Sequence, residues 1–112
     1  MNIEDVIEIF KISMVNGDID NAYSIVSKNI AKYKKKNNLM GMEFLNLILD
    51  SISNKISTDE LYKNLSDTKF KVLPDVTNYD EYIMNLIDAI TYSLNRYNVN
   101  YPSFDGKRCN DL

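Results

Sequence analysis

Two amphipathic patterns that meet at Asn16-Gly17-Asp18 constrain the fold of this chain most strongly. Apolar residues recur every three or four positions over residues 3–15, and they do so again over residues 19–36. Gly17 can take the left-handed conformation that ends a helix at little cost, and Asp18 can cap the helix that follows. Because so short a connection makes neighbouring helices antiparallel, the sequence predicts an N-terminal αα-hairpin.

A third helix is predicted over about residues 39–53, and it is apolar on nearly all sides. Only Glu43, Asn46 and Asp50 are clearly polar in its body. A helix of this kind is either the central element of a bundle or half buried in a partner, and we favour the first interpretation. We expect the first two helices to cover part of it and the last long helix to cover the rest.

Two further helices are predicted in the second half of the chain. Residues 57–60, Ser-Thr-Asp-Glu, form a capping box that starts a short helix. Thr77 or Asn78 can cap a long helix whose apolar stripe continues to about Asn98. The stretch between these helices, at about residues 66–77, is predicted to be an extended loop.

The predicted fold class is therefore all-α, a small helical bundle of four to five helices built on the N-terminal αα-hairpin. The chain has 112 residues and an apolar content of 45%, which suit one hydrophobic core. We expect a single helical domain over residues 1–112. Residues 102–112 have no periodic pattern and are predicted to be a flexible tail.

The sequence offers little for catalysis or for cofactor binding. It has no His, so it lacks the commonest general base and the commonest transition-metal ligand. Its three Gly residues form no phosphate-binding loop. Asp18 and Asp20 share a turn, but the later ligands of a calcium loop are missing. We therefore expect no enzyme, no catalytic residue, no cofactor and no metal site.

Charge and cysteine content limit the cellular compartment and the class of partner that we expect. The net charge is -3, so no overall field draws the chain to nucleic acid or to an anionic membrane. No apolar run reaches the length of a membrane span, and Glu4 and Asp5 stand where a signal peptide is basic. The single Cys109 cannot form an internal disulfide, and its role stays open. We expect a cytoplasmic protein that does not contact a membrane.

Tyrosines crowd the C-terminal third of the chain, and Tyr is enriched at the centres of protein interfaces. An equally weighted alternative is that each tyrosine buries its ring at the edge of the core and leaves its hydroxyl in water. Together with two apolar residues of the third helix, the candidate protein interface comprises Met40, Phe44, Tyr79, Tyr82, Tyr92, Tyr97 and Tyr101.

A lysine run at the end of the second helix is a candidate basic patch, formed by Lys32, Lys34, Lys35 and Lys36. A nucleic-acid interface would combine this run with Tyr33 as a platform on which a base stacks. Arginine is nearly absent and the net charge is negative, which argues against that use. We interpret the run as a solvated helix end whose charge complements the helix dipole.

The junctions of the first three helices resemble those of a known kind of domain. The first helix ends in Asn16-Gly17-Asp18, and residues 35–38, Lys-Lys-Asn-Asn, lead from the second helix into a third that contains Leu45. In these features residues 3–52 resemble the helical N-terminal domain found ahead of some bacterial AAA-type ATPases. That domain has a His and then Leu-Ala early in its third helix, where this chain differs. The resemblance implies an interaction or assembly element; it implies neither nucleotide hydrolysis nor any site residue.

Three functions follow from these observations. The first is a non-catalytic interaction module, an adaptor or inhibitor-like partner of a larger bacterial complex. A second is a small immunity or antitoxin-type protein that neutralises a cognate toxin, which requires shape and charge but no catalytic group. The third is a helical regulator that binds nucleic acid. We favour the first, which requires a protein partner, and the sequence leaves homo-oligomerisation open.

Overall fold

The computed structural model describes residues 2–67 and 76–99, which form five α-helices and no β-strand. In chain order the helices are α1 (Ile3–Val15), α2 (Ile19–Lys35), α3 (Leu39–Ile52), α4 (Thr58–Leu65) and α5 (Tyr79–Arg96). The predicted all-α bundle with an N-terminal αα-hairpin is confirmed. The central part of the predicted loop, residues 68–75, and the predicted tail lie outside the described residues.

Each helix begins at an N-cap residue whose side-chain oxygen accepts a hydrogen bond from the backbone amide three residues later. The oxygen-to-nitrogen distances lie between 2.9 and 3.2 Å. The five N-caps are Asn2, Asp18, Asn38, Ser57 and Asn78. Of the two caps that the sequence allowed for the last helix, the structure uses Asn78. These bonds satisfy amides that have no partner within their own helix.

Four helices end in a left-handed turn. Gly17, Asn37, Asn54 and Asn98 have φ angles of 83°, 59°, 60° and 51°. In all four turns the next amide donates to the carbonyl five positions earlier at 2.9–3.1 Å, which is the hydrogen bond of a Schellman motif. Asp18 and Asn38 donate this bond and also cap the following helix, so three residues suffice to join α1 to α2 and α2 to α3.

The five helices form a closed ring around one core. Each helix packs against its neighbours in sequence, and α5 returns to pack against α1. Every helix contributes fully buried side chains to the core, among them Phe10, Val26, Phe44, Leu61 and Ile83. The contact between α1 and α5, which we call the seam, joins elements from opposite ends of the described chain. Their N-terminal ends lie together, so the two helices run in the same direction along the seam.

The cover of α3 differs from the prediction. Its main neighbours are α2 and α4, whereas α5, which we expected to cover it, packs against α1 and α4. The reason is that the short α4 lies between α3 and α5 in the ring and buries Leu61 and Leu65 completely. Leu39, at the first position of α3, is 57% exposed on the far side of the ring from the seam.

Gly17 provides a test of this architecture. A Cβ atom there would lie 2.9 Å from Cε1 of Tyr97, and the backbone is left-handed. We expect Gly17→Ala to lower the free energy of unfolding by about 1–2 kcal/mol from the backbone conformation alone, and by more because the Tyr97 ring must move. Urea denaturation measures this. Asn37→Gly is the matched control, since it introduces glycine at another left-handed residue and should preserve or raise stability. Equal stability of the Gly17→Ala variant and the wild type would contradict this account.

Candidate protein interface

Two of the candidate tyrosines bind helix ends. The Tyr97 hydroxyl donates to the backbone carbonyl of Val15 at 2.6 Å, and the Tyr79 hydroxyl donates to that of Leu65 at 2.5 Å. Val15 and Leu65 are the last residues of α1 and α4, where backbone carbonyls have no N–H donor within their own helix. These two phenols therefore hold α5 against the ends of its neighbours.

A third tyrosine bond was not anticipated from the sequence. The Tyr62 hydroxyl donates to Oδ1 of Asp80 at 2.9 Å, which joins α4 to the first turn of α5. This hydrogen bond depends on which acidic residue of α5 lies opposite Tyr62 when α4 and α5 pack together. No spacing within either helix carries that information, so sequence reasoning had no signal for it.

The remaining candidate residues lie in different environments. Tyr92 is 50% exposed on the outside of α5, and Tyr82 is half-buried between α1 and α5. Phe44 is fully buried in the core, so its side chain offers no surface to a partner, and Met40 is partly buried. Tyr101 lies outside the described residues. The structure therefore does not bring the six candidate residues that it describes together on one surface.

The lysine run behaves as a solvated helix end. Lys32, Lys34 and Lys35 are exposed in the last turn of α2, and Lys36 is its C-cap. Tyr33, the aromatic side chain that a nucleic-acid interface would need beside them, is buried in the core. The ring of Tyr33 is therefore not exposed for stacking on a base.

An apolar surface that we did not predict lies on the seam. Ile12 and Val15 are 54% and 41% exposed, and both line a groove of about 380 Å³ between α1 and α5. Ala89 lines the same groove, and Tyr92 lies three residues further along α5 on the same side of the helix. We call Ile12, Val15, Ala89 and Tyr92 the seam surface. The available sequence signal was that Ile12 and Val15 fall outside the apolar stripe of the first helix.

An acidic groove of about 410 Å³ continues the seam toward the N-terminal ends of α1 and α5. Glu4, Glu81 and Tyr82 line it, and Asn85 lines both this groove and the apolar one. Oε2 of Glu4 and the Tyr82 hydroxyl are buried and have no hydrogen-bond partner within residues 2–67 and 76–99. A buried polar group without a partner costs roughly 1–3 kcal/mol. The two ends of the seam thus differ in chemistry, one apolar and one acidic.

Burial keeps the phenols of Tyr82 and Tyr79 protonated. Burial raises the pKa of Tyr82 to about 12, and the nearby carboxylates of Glu4 and Glu8 act in the same direction. Burial also raises the pKa of Tyr79 to about 12. The Lys11 ammonium lies 5.5 Å from the ring centroid of Tyr82 and 3.3 Å from Oε2 of Glu8. Lys11 therefore places a positive charge between the acidic groove and the seam surface.

Comparisons with protein-family models, with curated proteins and with solved structures found no match. Within the described ranges, no group of three or more His, Cys, Asp or Glu side chains is placed to hold a metal ion. No helix in this part of the chain combines the length and apolar character that crossing a bilayer requires. Cys109, whose role the sequence left open, lies outside the described residues.

The bond between Tyr97 and Val15 can be tested by removing one oxygen atom. Tyr97→Phe deletes the donor and leaves the Val15 carbonyl without it, so the free energy of unfolding should fall by about 0.5–1.5 kcal/mol. Tyr92→Phe makes the same change on a half-exposed side chain and should leave stability nearly unchanged. Chemical denaturation of both variants beside the wild type measures the difference. Equal losses in the two variants would show that the Tyr97 hydroxyl has no special role.

Alkaline pH should destabilise the fold through Tyr79 and Tyr82. Their pKa values rise from 10.0 to about 12 on folding, so the unfolded chain loses these protons first. Their contribution to stability is complete below pH 10 and disappears as the pH rises from 10 to about 12. Denaturation at a series of pH values should show this decline. The double variant Tyr79→Phe, Tyr82→Phe should flatten it, whereas Tyr92→Phe should not.

Proposed function

We propose that this chain is a non-catalytic protein-interaction module, an adaptor or inhibitor-like partner of a larger bacterial complex, and that it binds its partner through the seam surface. The observation that carries the proposal is the exposure of Ile12 and Val15 along a groove that Ala89 also lines, with Tyr92 exposed three residues beyond Ala89, on a ring whose core is already closed. The buried core does not include these side chains, so their exposed apolar groups are not explained by packing of the core. Contiguous exposed apolar groups on a small protein commonly mark an interaction site.

The position of the seam supports this choice over a surface on α3. Phe44 belongs to the core, and the exposed Leu39 lies on the far side of the ring. At the seam, side chains from two helices form one groove, which gives a partner both apolar area and shape. The resemblance of residues 3–52 to a domain used in assembly agrees with an interaction role.

A second candidate is a small immunity or antitoxin-type protein, and the acidic groove is the observation that favours it. Glu4 and Glu81 line that groove, and the exposed Asp5 lies near Tyr82, which lines it too. Such a surface suits a basic toxin. A toxin gene next to the gene for this chain would support this function, whereas a neighbouring ATPase or protease gene would support the first.

The proposed function predicts that a charge at the seam abolishes capture of the partner. Ile12→Asp places a carboxylate in the seam surface and should reduce capture from an extract of the native cells about tenfold or more, the effect of losing one interface hot spot. Quantitative mass spectrometry of the captured proteins measures this. Leu39→Asp is the matched control, because it adds the same charge at an equally exposed apolar residue away from the seam.

Thermal unfolding of both variants should show that each retains the fold. The Leu39→Asp variant should capture the same proteins as the wild type, in the same amounts. Capture that is unchanged by Ile12→Asp, or a wild-type chain that captures nothing, would show that the seam is not an interaction surface.

A further inference from the structure

We propose that the partner binds along the seam as a segment with a basic side chain at one end, an arginine or lysine that occupies the acidic groove, and apolar side chains further along that cover the seam surface. This inference rests on the proposed function. It adds the chemistry of the partner segment and the direction in which that segment lies.

The acidic groove is suited to a cation with several hydrogen-bond donors. Oε2 of Glu4 is a buried acceptor without a partner within the described residues, and the Tyr82 oxygen beside the same groove also lacks one. A guanidinium has five N–H donors in a planar fork, which suits the carboxylates of Glu4 and Glu81 that line the groove. Such charge-assisted bonds are roughly twice as strong as neutral ones.

The field at this end of the seam also favours a cation. The N-terminal ends of α1 and α5 each contribute the equivalent of about half a positive charge. Both first turns carry two carboxylates, Glu4 and Asp5 on α1 and Asp80 and Glu81 on α5. The negative charge of these four groups exceeds the two helix-end charges. A basic side chain is therefore attracted to this part of the surface.

The two helices repeat the same spacing along the seam, which fixes the length of the partner segment. Glu4 precedes Ile12 and Val15 by the same intervals by which Glu81 precedes Ala89 and Tyr92. At a rise of 1.5 Å per residue, about 12–16 Å separate the acidic groove from the seam surface. A helical partner would need its basic and apolar side chains about 8–11 residues apart, and an extended one about 4–5 residues.

Lys11 gives the bound segment a direction. Its ammonium lies between the two parts of the seam, paired with Glu8 and above the Tyr82 ring. Lys11 also lines the apolar groove, where it would repel a second cation. A segment bound the other way round would place its basic side chain beside Lys11 and its apolar side chains among carboxylates. The basic end should therefore lie over Glu4.

A peptide library on phage tests this inference directly. Random peptides of about 16 residues, long enough to span the seam as a helix, are selected on the whole chain. We expect the enriched sequences to contain an Arg or Lys at one of the two spacings from apolar residues. Fluorescence anisotropy with the best peptide should then show that Glu4→Gln weakens binding by about tenfold. Glu43→Gln makes the same change on α3 and should not weaken it.

The outcomes separate this inference from the proposed function. Binding that weakens with Ile12→Asp but not with Glu4→Gln would overturn the inference and leave the seam as an interaction surface. Enriched peptides that lack a basic residue would do the same. Peptides insensitive to both variants would overturn both proposals. Sedimentation that shows self-association abolished by Glu4→Gln would make a second copy of this chain the occupant, and the inference would be wrong. Circular dichroism confirms that each variant is folded.

Discussion

The packing of α5 against α1 closes the bundle, and the other features of the molecule depend on it. The first three helices are joined by connections so short that their pairing follows from the chain itself, whereas the two helices of the seam come from opposite ends of the described chain. Bringing them together costs loop-closure entropy. Burial of Phe10 and Ile83 offsets that cost, and the hydrogen bond from Tyr97 to Val15 contributes further stabilisation. The seam completes the core on its inner side and leaves two grooves on its outer side.

The positions of the helices could be predicted because their signals are local. N-caps and left-handed turns involve residues three to five positions apart, and the predicted helix limits agree with the structure to within two residues. The neighbours of each helix are decided by packing between distant segments, so the sequence did not show that α4, rather than α5, is a main neighbour of α3. The candidate site shows the same division. Ile12 could be recognised as lying off the apolar stripe, but the groove that Glu4 shares with Tyr82 depends on how α1 packs against the last helix.

The abundance of tyrosine in the C-terminal third has more than one cause. Tyr79 and Tyr97 use their hydroxyls to bind the carbonyl ends of α4 and α1, a role that neither Phe nor Leu could take. The Tyr82 ring lies under Lys11 of α1 at the contact between α1 and α5, and Tyr92 is exposed on the outside of α5. Core-edge packing and interface formation were weighed as alternatives for the whole group. The structure instead divides the group residue by residue, according to what lies opposite each ring and hydroxyl.

Asp18 and Asn38 each end one helix and start the next, and this double role has a mechanical consequence. A residue inserted at either junction would separate the two tasks, so these connections tolerate no change in length. Twisting one helix about its axis would also disturb the cap of its neighbour. We therefore expect the first three helices to move together. A change in the width of the seam would then require displacement of α5.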